Sequence, residues 1–318
     1  MSGGGGGGAE VHPTRSASTT PAHSTGKQRI ICLQPPEWTG RLPVPNKLGI
    51  EERDGSLRQV AALPCCRSGP RIIAFVAQTA TSDLDYVRQH REIWELRPEL
   101  RAVYHDFFKT LLEACGDRRP IVELGAGPGF FREFCPESIS TDVIFTPWVD
   151  VVCDGCRSPF RAASAGAVVM LDVIHHLPKP LDFLAEVTRI LRPGGRLVAI
   201  EPWITPPSYV LYRYFHHEDC TLSIDVAEPF RSTGKQAFDG NATIPFRLVR
   251  SLRTRPADGL KLIRCEPFLG LAYLATLGFK RRSTMPAGVI RLAERCERIA
   301  GPLGRLASTR ALLVWEKV

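Results

Sequence analysis

Apolar residues at Leu100, Val103, Tyr104, Phe107, Phe108, Leu111 and Leu112 recur every three or four positions, which puts them on one broad face of a helix. Ser82-Asp83 offers an N-cap for this helical region and Gly116 closes it. Beyond Gly116 the period changes to short apolar runs at 120–126, 138–143, 149–154, 167–173 and 196–200, which read as strands. Helical stretches fall between them, a short one at 128–134 and a longer one at about 181–191. The longer one carries Leu181, Leu184, Val187, Ile190 and Leu191 on one face and stops at Arg192-Pro-Gly-Gly195. Two more strand candidates, 260–265 and 311–316, flank a helix at 289–306. Alternation of strand and helix predicts an α/β fold on a parallel sheet, with the last two strands joined as an antiparallel pair.

The regions outside this pattern divide the chain. Residues 1–28 contain six consecutive glycines followed by Ser, Thr, Pro and His, and cannot bury enough apolar surface to fold, so they read as a disordered tail. Residues 29–81 mix short β-like runs with prolines and form a small appendage. Cys32, Cys65 and Cys66 suggest a degenerate, metal-free ribbon there, because no CxxC pair supplies tetrahedral zinc ligands. The main domain is then 82–318, with residues 203–255 as an insertion on the substrate side.

Composition narrows the setting. No apolar run reaches the ~18 residues that span a bilayer, and no charged n-region with an apolar h-region marks a secretory leader. Ser2 in place of Gly argues against myristoylation. Ten scattered cysteines fit reduced thiols in a cytoplasmic protein better than a disulfide framework. The net charge of +8 is uneven: residues 246–318 hold fifteen Lys or Arg against five Asp or Glu. That basic part suits an anionic substrate, a phosphorylated carrier, a membrane surface or RNA, or is simply a solvated face.

Candidate chemistry begins at Glu123-Leu-Gly-Ala-Gly-Pro-Gly129, where Gly125, Ala126, Gly127 and Gly129 form a turn between a buried strand and a helix. Such a turn brings backbone N–H groups close to a ligand. Ligands of open α/β sheets bind beyond the carboxyl ends of the strands, so acids at those ends carry weight. Glu123 precedes the turn and Asp142 follows nineteen residues later, near the spacing of an acid that bonds ribose hydroxyls. Asp154, followed by Gly155, ends the third strand, and Asp172, followed by Val173, ends the fourth. Each acid alone also fits a solvated loop or a turn cap.

Taken in order, these residues resemble the class I S-adenosylmethionine-dependent methyltransferases, of the type 11-like kind. The Leu191-Arg-Pro-Gly-Gly-Arg-Leu197 link before strand five adds to the likeness, and 96–101, 201–205 and 216–218 resemble a microbial subgroup. The resemblance implies a Rossmann-like seven-stranded sheet with an antiparallel last strand and helices on both faces. It also implies S-adenosyl-L-methionine as cofactor, with Glu123 and Asp172 toward its methionine end, Asp142 on the ribose and Asp154 on the adenine amine. The first crossover departs from the family: only twelve residues separate Gly129 from Asp142.

Methyl transfer needs alignment of the acceptor, and a base only where a proton must leave. His176, after the fourth strand, and His217, in Arg213-Tyr-Phe-His-His-Glu-Asp219, are candidate bases, and Glu201 at the end of strand five faces the same mouth. His175 is expected to pack and bond backbone. His216, His217 and Glu218 form no convincing metal set, since contiguous residues seldom converge on one ion. The expected activity is methylation of a small molecule or a glycan- or lipid-linked intermediate, with O-methylation favoured by the histidines. The alternatives are a tRNA methyltransferase, or a non-catalytic cofactor-binding partner of another enzyme.

Overall fold

The computed structural model describes residues 63–65, 68–73, 81–216, 219–229, 240–254, 257–279 and 285–318. The tail expected at 1–28 and most of the appendage at 29–81 lie outside them. Two strands of the appendage, β1 (Leu63–Cys65) and β2 (Ser68–Ile73), pair antiparallel. The remaining strands are β3 (Ile121–Leu124), β4 (Ile139–Asp142), β5 (Val151–Val152), β6 (Ala165–Leu171), β7 (Leu191–Pro202), β8 (Leu260–Phe268) and β9 (Arg310–Lys317). These seven lie in the order β5-β4-β3-β6-β7-β9-β8, and β9 runs antiparallel to both its neighbours. On the outer side of β5, β2 adds in parallel and carries β1 with it, so the appendage continues the sheet.

Strand period two sorts the core into two layers. Val122 and Leu124 of β3, Val168 and Met170 of β6, and Leu197 and Ala199 of β7 face α4 (Pro180–Ile190) and α6 (Ile244–Thr254). Ile121, Val169, Val198 and Ile200 face the other way. They meet α2 (Pro98–Cys115), α3 (Phe130–Phe134), α7 (Leu271–Thr276) and α8 (Ala287–Ala300). Helices therefore cover both faces, as the family resemblance implies.

Three boundaries differ from the sequence expectation. The first helical region is two helices, α1 (Thr81–Leu96) and α2, because Pro98 keeps the residue before it out of helical conformation; Arg97 sits at φ −126°, ψ 82°. Its guanidinium donates to the Thr276 and Gly278 carbonyls, both at 2.7 Å, and so ties the break to α7. β7 starts at Leu191, directly after α4, so the Pro-Gly-Gly link lies within the strand, where the pairing with β6 shifts register. The C-terminal helix ends at Ala300, where Gly301 takes φ +47°, and a 3-10 segment, Gly301–Ala307, leads on to β9. In the insertion, α5 (Pro206–Phe215) opens on a capping box formed by Thr205 and Ser208.

Candidate active site

The sheet reverses its strand order at β3, with β4 on one side and β6 on the other, and the glycine turn sits beyond the carboxyl end of β3. Gly125, Gly127 and Gly129 have φ of +74°, +48° and +75°, the region that side-chain-bearing residues avoid. Their surroundings differ. A Cβ on Gly125 would fall 2.4 Å from Val173 Cγ2, and one on Gly129 2.4 Å from Trp148 Cβ, whereas one on Gly127 would meet nothing within 4 Å. Packing therefore demands two of the glycines, and the conformation of the turn demands the middle one.

Asp142 pins the turn. Gly127 N–H donates to its Oδ2 at 2.7 Å and Ile144 N–H to its Oδ1 at 2.8 Å, while Ala126 N–H reaches the Thr141 carbonyl at 2.9 Å. A carboxylate offers about four lone-pair positions, so acceptor capacity remains for a hydroxyl donor. Glu123 is buried and accepts from Ser140 Oγ at 3.0 Å. Burial pushes its carboxyl up to about 8, against the lowering effect of that hydrogen bond. Burial also raises Asp142, which its backbone donors hold down in part. Asp154 is exposed in a tight turn where its Oδ1 accepts Cys156 N–H at 2.8 Å, with half-buried Gly155 beside it. The flanking Cys153 and Cys156 thiols are pushed up to about 12 by burial and stay protonated.

Helix α1 closes over the turn, a contact that no sequence signal announced. Arg91 donates to the Pro128 carbonyl at 3.4 Å and lies over the rings of Phe130 and Trp148, and Trp94 stacks on Phe130 at 4.0 Å.

At the end of β6, Asp172 adopts φ +58° and forms a two-pronged ion pair with Arg310, at 2.7 and 2.9 Å. Arg310 opens β9, is buried, and lies 4.1 Å from the Tyr273 ring centroid and 5.3 Å from that of Phe107. Sequence reasoning missed it, for a lone arginine ahead of an apolar strand carries no mark of an inward role.

Glu201 makes contacts that its position near the end of β7 does not announce. Placed in the sequence reading at the acceptor mouth, it is 0% exposed and turned to the loop after β6. Its Oε1 accepts the N–H groups of Val173 and Ile174 at 2.8 and 2.7 Å, and its Oε2 lies 2.7 Å from His175 Nδ1. It holds the 173–175 turn in place. His175 is also buried, but its ring bonds the Glu201 carboxylate rather than backbone; only its main-chain carbonyl meets backbone, accepting Asn241 N–H at 2.9 Å. His176 is half-buried, with its ring 4.0 Å from that of His175 and with Gly240 backing both rings. His217 and Glu218 lie outside the described residues; His216 is exposed at the end of α5. Asp172, His175 and Glu201 bring ligand-type atoms within 4.8 Å of one another. Arg310 takes both Asp172 oxygens, however, and the 173–175 turn takes Glu201, so this cluster is an internal brace.

A mostly parallel sheet with a glycine turn and acids at its switch point defines a Rossmann-like cofactor-binding fold. Residues 122–199 match the family described as "Methyltransferase domain". Among curated proteins, squalene methyltransferase 1 of Botryococcus braunii is 32% identical over 112 residues, 34% of this chain and 29% of that protein. Botryococcene C-methyltransferase of the same organism is 31% identical over 99 residues, 30% of this chain and 26% of that one. The chain thus matches less than a third of the length of these relatives. Among solved structures, geranyl diphosphate C-methyltransferase from Streptomyces coelicolor A3(2) is 16% identical with a TM-score of 0.43, covering 67% of this chain and 76% of that one. A methyltransferase from Archaeoglobus fulgidus is 17% identical with a TM-score of 0.41, covering 68% and 94%. Residues 122–199 thus match a methyltransferase domain, the kind of domain that binds S-adenosyl-L-methionine. No described helix is long and apolar enough to cross a membrane.

Proposed function

We propose that the chain transfers a methyl group from S-adenosyl-L-methionine to a small acceptor of apolar or lipid-linked character, with 82–318 as the catalytic domain and 203–255 on the acceptor side. The observation that carries the reading is the Gly125-to-Gly129 turn pinned by Asp142 at the switch point of the sheet. The acceptor set fits the cofactor, because the carboxylates of Asp142 and Asp154 accept the protons that ribose hydroxyls and an adenine amine donate, and a cofactor ammonium beside Glu123 would draw its carboxyl down from about 8 toward the ionised form. Asp142 holds the ribose, Asp154 with Gly155 the adenine edge, and Glu123 the methionine end, together with the Asp172–Val173 backbone. Gly125, Ala126, Gly127 and Gly129 supply the close backbone approach.

The cofactor supplies an electrophilic methyl group, so the chain's own work is to orient the acceptor and, for a hydroxyl, to take its proton. Glu201 sets the turn that carries His175 and His176, and His176 is the base of this reading, with His217 the second candidate. O-methylation follows from that base. The names of the Botryococcus relatives favour a second reading, C-methylation of an isoprenoid alkene. Incubation with radiolabelled S-adenosylmethionine and fractionated lipid extract tests both, with the product read as a methoxyl or a carbon-bound methyl. His176→Ala should retain cofactor affinity and lose about 10²-fold or more in turnover on a hydroxyl acceptor. Unchanged turnover would remove the base, and labelling confined to nuclease-sensitive material would overturn the acceptor class.

A further inference from the structure

We propose that the outward face of α8 and of the 3-10 segment after it seats the protein on an anionic lipid bilayer, beside the acceptor mouth. Helix α8 turns Ile290 into the fold, and the Glu297 carboxylate caps the Leu271 and Ala272 N–H groups. Its opposite side carries Leu292 and Ile299, a spacing of seven that keeps them on one stripe, and the stripe continues into Leu303 and Leu306. These four aliphatic side chains are 60–76% exposed. Single exposed leucines are ordinary on a protein surface. Four within fifteen residues, interleaved with the exposed Arg291, Arg295, Arg298 and Arg305, are not. The two acids of the stretch, Glu294 and Glu297, are half-buried, so the four exposed charges are all arginines.

That pattern commits the surface to one kind of partner. Aliphatic side chains gain by entering acyl chains while arginines pair with anionic headgroups. A second copy docked by the same face across a two-fold axis would set arginines against arginines, and like charges so placed are costly. An RNA strand would engage the arginines but leave the four aliphatic side chains without a favourable partner. Helix α5 packs against the same 3-10 segment and ends in exposed Tyr214 and Phe215, rings of the type that settles at headgroup level.

The position gives the surface a use. The 3-10 segment runs through Ser308 and Thr309 into Arg310, the partner of Asp172. Thr205 Oγ1 donates to the Ser308 carbonyl at 3.0 Å and Tyr212 hydroxyl to that of Thr309 at 2.6 Å, so the segment is fastened to the elements around the mouth. A bilayer under this face brings a water-insoluble acceptor to the opening without passage through water. That purpose rests on the apolar-acceptor reading above; the binding does not.

Co-sedimentation of the full chain with phosphatidylcholine vesicles, with and without phosphatidylglycerol, tests the proposal without methyl donor or acceptor. Binding is expected to the anionic vesicles and to fall with salt. Each arginine near an anionic surface is worth about fivefold in partition, so Arg295→Gln with Arg298→Gln should weaken it by roughly 25-fold. Leu303→Ser with Leu306→Ser should weaken it as well, with the melting temperature and S-adenosylhomocysteine affinity unchanged. Equal binding by wild type and both variants would overturn the inference. So would equal binding to neutral vesicles, or no vesicle binding alongside tight RNA binding or a dimer that the serine variant dissociates. A protein that binds vesicles but methylates no lipid refutes the acceptor reading and leaves this one standing.

Discussion

Alanine at position 127 separates what the fold requires of the glycine turn from what the ligand requires. At φ +48° a side-chain-bearing residue costs about 1–2 kcal/mol. The new methyl meets no atom within 4 Å, so nothing is added for packing. For a domain of this size that lowers the melting temperature by about 2–8 °C. Gly125→Ala has the same backbone cost and also drives a methyl to 2.4 Å from Val173 Cγ2. Overpacking of that kind adds about 1–3 kcal/mol, so this variant should melt clearly lower. For the cofactor the order reverses. If the Gly127 backbone is where the cofactor approaches, the methyl at 127 stands in its way, and the same ~1–3 kcal/mol falls on binding, a loss of about 5- to 150-fold. Melting curves without ligand and calorimetric titration with S-adenosylhomocysteine measure the two effects separately. Gly127→Ala with wild-type affinity would refute the cofactor placement, and equal melting temperatures for the two variants would refute the packing contrast.

Three further outcomes are expected. Glu123 ionises near about 4.3 in the unfolded chain but only near about 8 in the fold, so its stabilising share is whole below the lower value. Between the two, the unfolded chain has released a proton that the fold keeps; stability then falls by ~1.4 kcal/mol per pH unit until about 8, and Asp142 adds in the same direction. Glu123→Gln should flatten that slope in melts across pH, and an unchanged slope would show the carboxyl to be ordinary. Glu201→Ala leaves two buried N–H groups and His175 without their acceptor and should cost about 3–5 kcal/mol in urea unfolding. Glu201→Gln, which keeps an acceptor oxygen, should cost less than half of that, and equal losses would contradict the role given to the carboxylate. Arg310→Met strands a partly buried Asp172 at about 3–5 kcal/mol. Adding Asp172→Asn should recover part of the loss, whereas strict additivity would mean the pair is not coupled.

Much of the scaffold is legible from residue pattern, because strands covered on both faces leave unbroken apolar runs such as Ala165–Leu171. The glycine turn is legible because its backbone angles admit little else. The break at Pro98 is hidden by the apolar stripe that starts at Leu100, and α7 is too short to show a period. Glu201 reads as facing the mouth, since an acid ending a strand usually looks outward; that it turns to the loop after β6 depends on the path of that loop. Arg310 is the least legible of all. Its partner lies 138 residues earlier in the chain, and only the antiparallel placement of β9 beside β7 brings the two together. His217 carries a sequence argument alone, as it falls outside the described residues.

Val173 limits how this protein can change. Its methyls fill the space that Gly125 leaves, and its N–H hangs from Glu201, so in the function proposed above one residue joins the glycine turn to the loop that carries His176. A larger residue there presses on the turn beneath the donor, and a smaller one lets that turn sag. Attempts to retrain the protein on new acceptors, by selection in nature or in the laboratory, should therefore leave this valine alone and draw their variation from 203–255.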